Sequence, residues 1–141
     1  YRLIGYENRS LNNEDFVNDS TDAGEIGAGQ TITALYEVAL TTNLSAGPYA
    51  QFDFRYKKPG ESQSRLLQHS INSSPKQMAQ ASENMRFAAS LTAFGLIMKQ
   101  SAHKGTADKQ MVLNLGSTAK TFDPNGYRSQ FIDIVNKWKP D

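Results

Sequence analysis

The chain of 141 residues contains no cysteine. This absence excludes disulfide bonds, zinc sites with thiolate ligands and a cysteine nucleophile, and it leaves the compartment open. Net charge is also nearly absent, because 15 Lys and Arg residues against 14 Asp and Glu residues give a formal charge of +1. A charge this small removes the electrostatic argument for a nucleic-acid partner. No apolar run approaches the ~20 residues of a membrane-spanning helix, so we expect no direct membrane insertion by this chain.

The length and composition fit one globular domain over residues 1–141. Hydrophobic residues make up 38% of the chain, and a chain of this size buries ~70% of its unfolded surface on folding. The sequence opens on residues with the composition of a strand, Tyr1 to Glu7, with no initiating Met and no signal-peptide pattern. We therefore expect the chain to be a fragment of a longer protein or a processed chain.

The first half, residues 1–75, has the two-residue period of β-strands. The predicted strands cover residues 1–8, 30–40, 49–57 and 64–71. The clearest pattern places on one face Ile32, Ala34, Tyr36, Val38 and Leu40. Between the last two strands, Pro59 and Gly60 suit the second and third positions of a tight turn. The alternation of apolar and polar positions predicts an antiparallel sheet or partial sandwich.

The second half, residues 76–141, changes to the period of α-helices. The predicted helices cover residues 83–100 and 107–115, with a third that opens at Asp123-Pro124. The predicted N-caps are Ser82, Thr106 and Asp123, and the predicted stop of the second helix is Gly116. The predicted apolar stripes are Phe87, Leu91, Phe94 and Met98 on the first helix, and Phe131, Ile134, Val135 and Trp138 on the third. Because strands precede helices without βαβ alternation, the predicted fold class is α+β, a sheet or partial sandwich followed by three helices.

The aromatic residues of the strands allow two interpretations. A platform that stacks on bases or sugars would use Tyr6, Tyr36, Phe52, Phe54 and Tyr56. At a spacing of two residues along strands, a face packed into the core is the favoured interpretation. The aromatic residues of the helices are likewise interpreted as core, and not as a cofactor pocket.

The acidic loop, residues 12–22, is a candidate metal site. Its carboxylates belong to Glu14, Asp15, Asp19 and Asp22, and amide carbonyls come from Asn12, Asn13 and Asn18. Hard oxygen ligands suit calcium, but their spacing does not follow the EF-hand pattern. A solvated loop whose side chains cap its own backbone is the favoured interpretation, and a calcium site is the alternative.

No residue pattern in the sequence indicates catalysis. The two histidines, His69 and His103, lack a metal-binding spacing, and no Gly-x-Ser-x-Gly segment accompanies them. The glycine-rich residues 24–29 lack the Gly-Lys-Ser/Thr ending of a phosphate loop and precede a predicted strand, so we interpret residues 22–29 as a bend. We therefore assign no catalytic, cofactor-binding or metal-binding residue, and we expect the chain not to be an enzyme.

Four segments of the chain resemble a known family. They are residues 1–9 (YRLIGYENR), residues 22–37 (DAGEIGAGQTITALYE), residues 85–95 with the runs MRFAA and AFG, and residues 126–131 (GYRSQF). Together they are similar to the C-terminal domain of bacterial von Willebrand factor type A (VWA) proteins of the YfbK type, over nearly the whole chain. The DAGEIGAG run is specific. Residues 10–20 and 57–64 lie outside the resemblance.

The resemblance implies a context and no reaction. The expected function is a non-catalytic scaffold or protein-interaction domain that accompanies a VWA domain in a bacterial cell-envelope protein. The expected location is periplasmic or surface-exposed, with a lipid anchor through the upstream region. The expected partner is the upstream VWA domain of the same polypeptide, or another envelope protein. The metal motif of VWA domains, Asp-x-Ser-x-Ser, does not occur in this chain.

Two further hypotheses accompany this expectation. The alternative function is a calcium- or ligand-binding adhesive module that uses the acidic loop 12–22. In addition, because the sequence opens within a predicted strand, we expect a segment that precedes the VWA domain to add strands to the sheet of this chain.

Overall fold

The computed structural model describes residues 1–5, 12–21, 24–40 and 47–139. It divides the chain into two compact units, Tyr1–Pro75 and Lys76–Asp141. The first unit contains two small antiparallel sheets and the second contains three α-helices, which confirms the predicted α+β class. One domain over residues 1–141 stays a prediction. Within the described ranges, every helix is too short or too polar to cross a membrane.

The smaller sheet of the first unit pairs two very short strands. β1 (Arg2–Leu3) and β2 (Tyr36–Glu37) run antiparallel, with Arg2 opposite Glu37. A 2.7 Å ion pair joins Arg2 Nη2 to Glu37 Oε2 across the two strands. The predicted first strand extends over residues 6–8 as well, and those residues lie outside the described ranges.

The long strand predicted over residues 30–40 is wrong in extent. Only Tyr36–Glu37 forms a strand, and one further bond runs from the Ile4 N–H to the Leu35 carbonyl at 2.9 Å. A two-residue period in the sequence reports which side chains share a face, but a strand also needs a backbone partner. β1 offers two residues, so the rest of this stretch is not a strand, and Ile32 is 63% exposed.

The larger sheet is the predicted hairpin, and the structure confirms it. β3 (Ala50–Tyr56) and β4 (Arg65–Ile71) pair antiparallel along seven residues each. At the turn, the Glu61 N–H donates to the Lys58 carbonyl at 3.0 Å. Gly60 has a φ of +82°, which glycine adopts without steric cost at the third position of a type II turn.

The first helix of the second unit begins as predicted. α1 (Glu83–Met98) follows Ser82, whose side chain accepts a hydrogen bond from the Met85 N–H at 3.2 Å. This bond satisfies one of the free N–H groups at the start of the helix. The helix ends before the predicted residue, because Gln100 has a positive φ of 50° that helical backbone does not allow.

The second helix, α2 (Lys109–Ser117), starts and ends two residues later than predicted. The prediction of Thr106 as its N-cap is wrong. The cap is Asp108, whose carboxylate accepts from the Met111 N–H at 2.7 Å. A carboxylate suits this position because it combines the capping bond with a favourable interaction with the helix dipole.

Gly116 is not the stop of α2 that the sequence predicts, because it lies inside the helix and is buried. A Cβ atom on Gly116 would lie 2.5 Å from Cδ1 of Ile132 and 2.9 Å from Oγ of Ser90. Both distances are far below ordinary van der Waals contact. This glycine therefore allows a close approach of the packed side chains and does not end the helix.

The third helix, α3 (Tyr127–Lys137), begins three residues after Pro124, its predicted first residue. Its N-cap is Gly126 in the left-handed region, and the prediction of Asp123 with Pro124 as first helical residue is wrong. Asp123 nevertheless serves the helix start, because its carboxylate accepts from the N–H groups of Arg128 at 3.1 Å and Ser129 at 2.9 Å. A turn from Asp123 to Gly126 separates this side chain from the helix. The rule that a cap residue is followed by Pro at the first helical position does not predict that turn.

The core of the helical unit is small and contains aromatic residues, as the sequence predicts. Its buried centre consists of Ala93, Val112 and Val135. Beside it, ring centroids lie 5.5–5.7 Å apart in edge-to-face pairs. These pairs join Phe87 to Phe131, Phe94 to Phe131 and Phe94 to Trp138. Such geometry is favourable for aromatic rings, and it confirms the interpretation of these residues as core.

Three members of the predicted apolar stripes are exposed. Leu91, Met98 and Ile134 expose 51%, 52% and 58% of their surface. The buried residues of α1 are Ser90 and Ala93, so its packed face is rotated from the predicted stripe. The predicted stripes are wrong at Leu91, Met98 and Ile134. On α1, the buried Ser90 donates its hydroxyl to the Val112 carbonyl of α2 at 2.7 Å, so a small polar residue occupies the position where α1 contacts α2.

Candidate interaction surface on the β3–β4 hairpin

The β3–β4 hairpin places most of its apolar side chains on one face. In an antiparallel pair, directly opposite residues share a face, and the residues of each strand alternate between faces. The register pairs Phe52 with His69 and Phe54 with Leu67. The aromatic face of the hairpin therefore consists of Ala50, Phe52, Phe54, Tyr56, Arg65, Leu67, His69 and Ile71.

Three aromatic rings form an ordered row along β3. The rings of Phe52 and Phe54 have centroids 6.4 Å apart and planes inclined by 10°. The rings of Phe54 and Tyr56 have centroids 6.2 Å apart and planes inclined by 16°. The row is nearly parallel and is built from stiff side chains, so little conformational entropy remains to be lost if a partner packs on it.

The interpretation of the strand aromatics as core is wrong for Phe52, for Phe54 and for Tyr36, which is 44% exposed, whereas Tyr56 is half-buried. Phe52 and Phe54 are 44% and 40% exposed, and Leu67 and Ile71 across the hairpin are 56% and 42% exposed. A face of two strands becomes a core only when a second layer packs on it. Within the described residues of this unit, no such layer covers the aromatic face. Tyr6, which the same interpretation included, lies outside those residues.

The opposite face of the hairpin is polar and is attached to the segment 12–21. The guanidinium of Arg55 lies 5.6 Å from the centroid of the Phe16 ring and donates to the Ser64 Oγ at 2.9 Å. Asp19 accepts at Oδ1 from the Ser64 N–H at 3.0 Å, and its carbonyl accepts from Lys57 Nζ at 2.8 Å. The two faces of the hairpin thus differ. Among the described residues of the unit, the polar face has partners and the aromatic face is exposed.

The acidic loop uses its side chains on its own backbone and on the hairpin. Asp15 accepts from the Asn12 N–H, and Asn18 accepts from the Ser20 N–H, both at 3.0 Å. Hydrogen bonds from Ser64 lower the pKa of Asp19 below its ordinary value. Among the described residues, no group of three or more acidic or histidine side chains is placed to hold a metal ion. Asp22 lies outside them, and the calcium site stays a prediction.

Within the described part of the predicted glycine-rich bend, residues 24–29, the structure has a turn that starts at Gly27. The Gln30 N–H donates to the Gly27 carbonyl at 3.1 Å, and the Gly27 N–H donates to the Gln30 side-chain oxygen at 2.9 Å. Gly29 has a φ of +76°, which explains a glycine at that position. Both hydrogen bonds of Gly27 therefore stabilise the turn itself.

Several charged side chains of the helical unit bind its own loops. Arg128 donates to the Ala119 carbonyl at 2.6 Å and lies 4.9 Å from the centroid of the Phe87 ring. A hydrogen bond from Thr121 lowers the pKa of Glu83. The role of these charges is structural, because their partners are backbone and side-chain groups of the same unit.

Asp123 shows the same use of charge. Desolvation raises the pKa of its carboxyl, but hydrogen bonds from Ser129 and Arg128 outweigh that effect and lower the pKa overall. The sequence correctly indicates that Asp123 serves the start of a helix. It places that helix directly after Asp123, whereas α3 begins at Tyr127. No signal in the sequence separates the two arrangements, since both begin with an acidic residue and a proline.

The two histidines lie in different units of the chain. His69 is on the aromatic face, in β4. His103 lies in the loop between α1 and α2, where its backbone N–H donates to Ser101 Oγ at 3.2 Å.

A surface depression of the helical unit is lined only by amide, hydroxyl and apolar side chains, which are Gln110, Leu113, Asn114, Ser117, Thr118 and Asn136. General acid–base chemistry needs a titratable group at the site, and this lining offers none.

Comparison with known proteins adds a family. The family described as "Uncharacterized protein YfbK, C-terminal" matches residues 1–48 and 40–140 of the chain. Among curated proteins, the chain is similar to the uncharacterized protein YfbK of Escherichia coli (strain K12), with 33% identity over 153 residues. That alignment covers 96% of the chain and 26% of the relative, so the chain spans about a quarter of the length of the curated relative it matches. No solved structure matches the chain.

Proposed function

This chain belongs to the family of YfbK C-terminal domains, and we propose that it is a non-catalytic protein-interaction module that supports a VWA domain in a bacterial cell-envelope protein. The family description gives no activity. The association with a VWA domain and the envelope location rest on the resemblance of the sequence segments described above.

The aromatic face of the hairpin is the observation that carries this proposal. Its four large apolar side chains with 40–56% exposure, Phe52, Phe54, Leu67 and Ile71, lie together on one side of two paired strands. Contiguous apolar surface of this kind is typical of protein–protein contacts. Burial of the surface that remains exposed on these side chains favours association, because apolar area is removed from water.

The proposed partner is the VWA domain in the region that precedes the chain in the full-length polypeptide. Two observations support a partner within the same polypeptide. The chain corresponds to 26% of the length of its relative, and a two-stranded hairpin is marginal in water without a layer against its apolar face. A covalently linked partner would cover that face permanently.

A calorimetric titration tests the proposed function. The chain is titrated into the separately expressed upstream region that contains the VWA domain, and its melting temperature is measured with and without that region. We expect saturable binding and a higher melting temperature, because a partner that binds only the folded state stabilises it. No heat of binding, together with an unchanged melting temperature, would contradict the proposal and leave the chain as an independent module.

A further inference from the structure

Strand β4 has an outer edge on which no other strand lies among the described residues. All seven of its residues, Arg65–Ile71, are exposed, whereas Ala50, Arg55 and Tyr56 of β3 are partly buried. The sheet that contains β4 has two strands within the described residues. The backbone N–H and C=O groups of β4 that point away from β3 therefore have no strand partner there.

Beyond Arg65, the sequence of β4 lacks the features that protect sheet edges. Soluble proteins block such edges with Pro, Lys, inward-facing charges, bulges or very short strands. Between Leu66 and Ile71, β4 contains no Pro, no Gly and no acidic or Lys residue. Its pairing with β3 is continuous over seven residues without a bulge. An edge of this kind is a template for another strand.

We propose that an extended segment that precedes Tyr1 in the full-length polypeptide pairs with the outer edge of β4 and makes the hairpin a three-stranded sheet. This inference rests on the proposed function and adds the mode of contact. A segment of the same polypeptide fits better than a free partner. The chain corresponds to 26% of the length of its relative, which leaves room for such a segment, and a covalent link raises its effective concentration above that of a free partner. Permanent pairing would also remove an edge that otherwise favours aggregation.

The register of the hairpin defines the chemistry of the added strand. On the aromatic face, the strand would lie beside Leu67, His69 and Ile71, where apolar side chains fit. On the opposite face, it would lie beside Gln68 and Ser70, where polar side chains fit. We therefore infer an alternating segment of about five to seven residues, the usual length of a strand, without proline at its paired positions.

Hydrogen exchange of the full-length protein, compared with the chain of residues 1–141, tests this inference. We expect the amides of residues 65–71 to exchange at least about tenfold more slowly in the full-length protein, at every protein concentration used, because about half of them would gain a bonded carbonyl. The amides of α2, residues 109–117, serve as the control and should exchange equally in both proteins. Equal exchange of residues 65–71 would overturn the inference. Protection that increases with protein concentration would also overturn it, because the added strand would then come from a second copy.

Side-chain footprinting of the same samples separates this inference from the proposed function. Hydroxyl radicals label the exposed rings of Phe52 and Phe54. If these rings are protected in the full-length protein while the β4 amides exchange freely, the interaction module stands and the strand addition is wrong. If rings and amides are equally open in both proteins, the strand addition and the proposed function are both wrong.

Discussion

Phe54 and Leu66 have nearly the same exposure, 40% and 39%, but they lie on opposite faces of one hairpin. Phe54 belongs to the open aromatic face. Leu66 lies opposite Arg55, on the face to which the segment 12–21 is attached through Phe16 and Asp19. Exposure alone therefore does not identify the proposed contact surface, and the side of the sheet on which a residue lies is the distinguishing property.

The first prediction concerns the close packing at Gly116. We expect Gly116→Ala to lower the free energy of unfolding of the helical unit by about 1–3 kcal/mol, the usual effect of overpacking a core. The added Cβ would contact Ile132 and Ser90 far below van der Waals distance. Urea unfolding followed by circular dichroism at the helical wavelength measures the change.

Gly95 in α1 provides the matched control for this substitution. Apart from its chain neighbours and the backbone of its own helix, a Cβ on Gly95 would have no atom within 4 Å. Gly95→Ala should therefore be neutral or should stabilise the helix by about 0.5–1 kcal/mol. Equal destabilisation by the two substitutions would contradict the packing described at Gly116.

The second prediction concerns Asp123 and pH. Its pKa is lowered in the folded state, so its contribution to stability is present above the ordinary pKa of an aspartate, about 3.9, and is lost as the pH falls through the folded value. We expect Asp123→Asn to lower the melting temperature at pH 7, and the difference from wild type to shrink below about pH 4.

The control for this prediction is Asp133→Asn. Asp133 lies on the exposed surface of α3, and its substitution should change the melting temperature little. A difference between wild type and Asp123→Asn that stays constant from pH 7 to pH 3 would show that the charge of Asp123 is not what stabilises the start of α3.

The third prediction concerns calcium and the acidic loop. Asp15 and Asp19 already accept backbone hydrogen bonds, so we expect millimolar calcium to leave the melting temperature of the chain unchanged. Asp19→Asn should lower the melting temperature equally with and without calcium, because it weakens the bond from Ser64. A rise in melting temperature with calcium, lost in Asp15→Asn or Asp19→Asn, would instead support a calcium-binding adhesive module.

The sequence predicts the local elements of this fold better than their partners. The hairpin and the start of α1 are local, because the Lys58-Pro59-Gly60-Glu61 turn and the Ser82 cap contain the interactions that define them. The strand predicted over residues 30–40 depends on a partner far away in the sequence, and β1 supplies only two residues for it.

The errors at Gly116 and at the strand aromatics have the same physical origin. A glycine near the end of an apolar repeat has the same local pattern whether it stops the helix or accommodates Ile132, and only the packing distinguishes the two. The alternation of Phe52, Phe54 and Tyr56 correctly predicts a shared face. It does not report whether a second layer packs on that face. The face is a candidate interaction surface because no such layer covers it among the described residues of the unit.

The most direct measurement is the affinity of two variants for the upstream region. Phe54→Ser and Leu66→Ser remove apolar side chains of nearly equal exposure from opposite faces of the hairpin, and circular dichroism confirms that both variants remain folded. If the aromatic face is the contact surface, Phe54→Ser weakens binding in the calorimetric titration at least about tenfold, or about 1.4 kcal/mol, and Leu66→Ser leaves it within about twofold. Equal affinities of the two variants, or a greater loss for Leu66→Ser, would contradict the aromatic face as the surface through which this chain binds its partner.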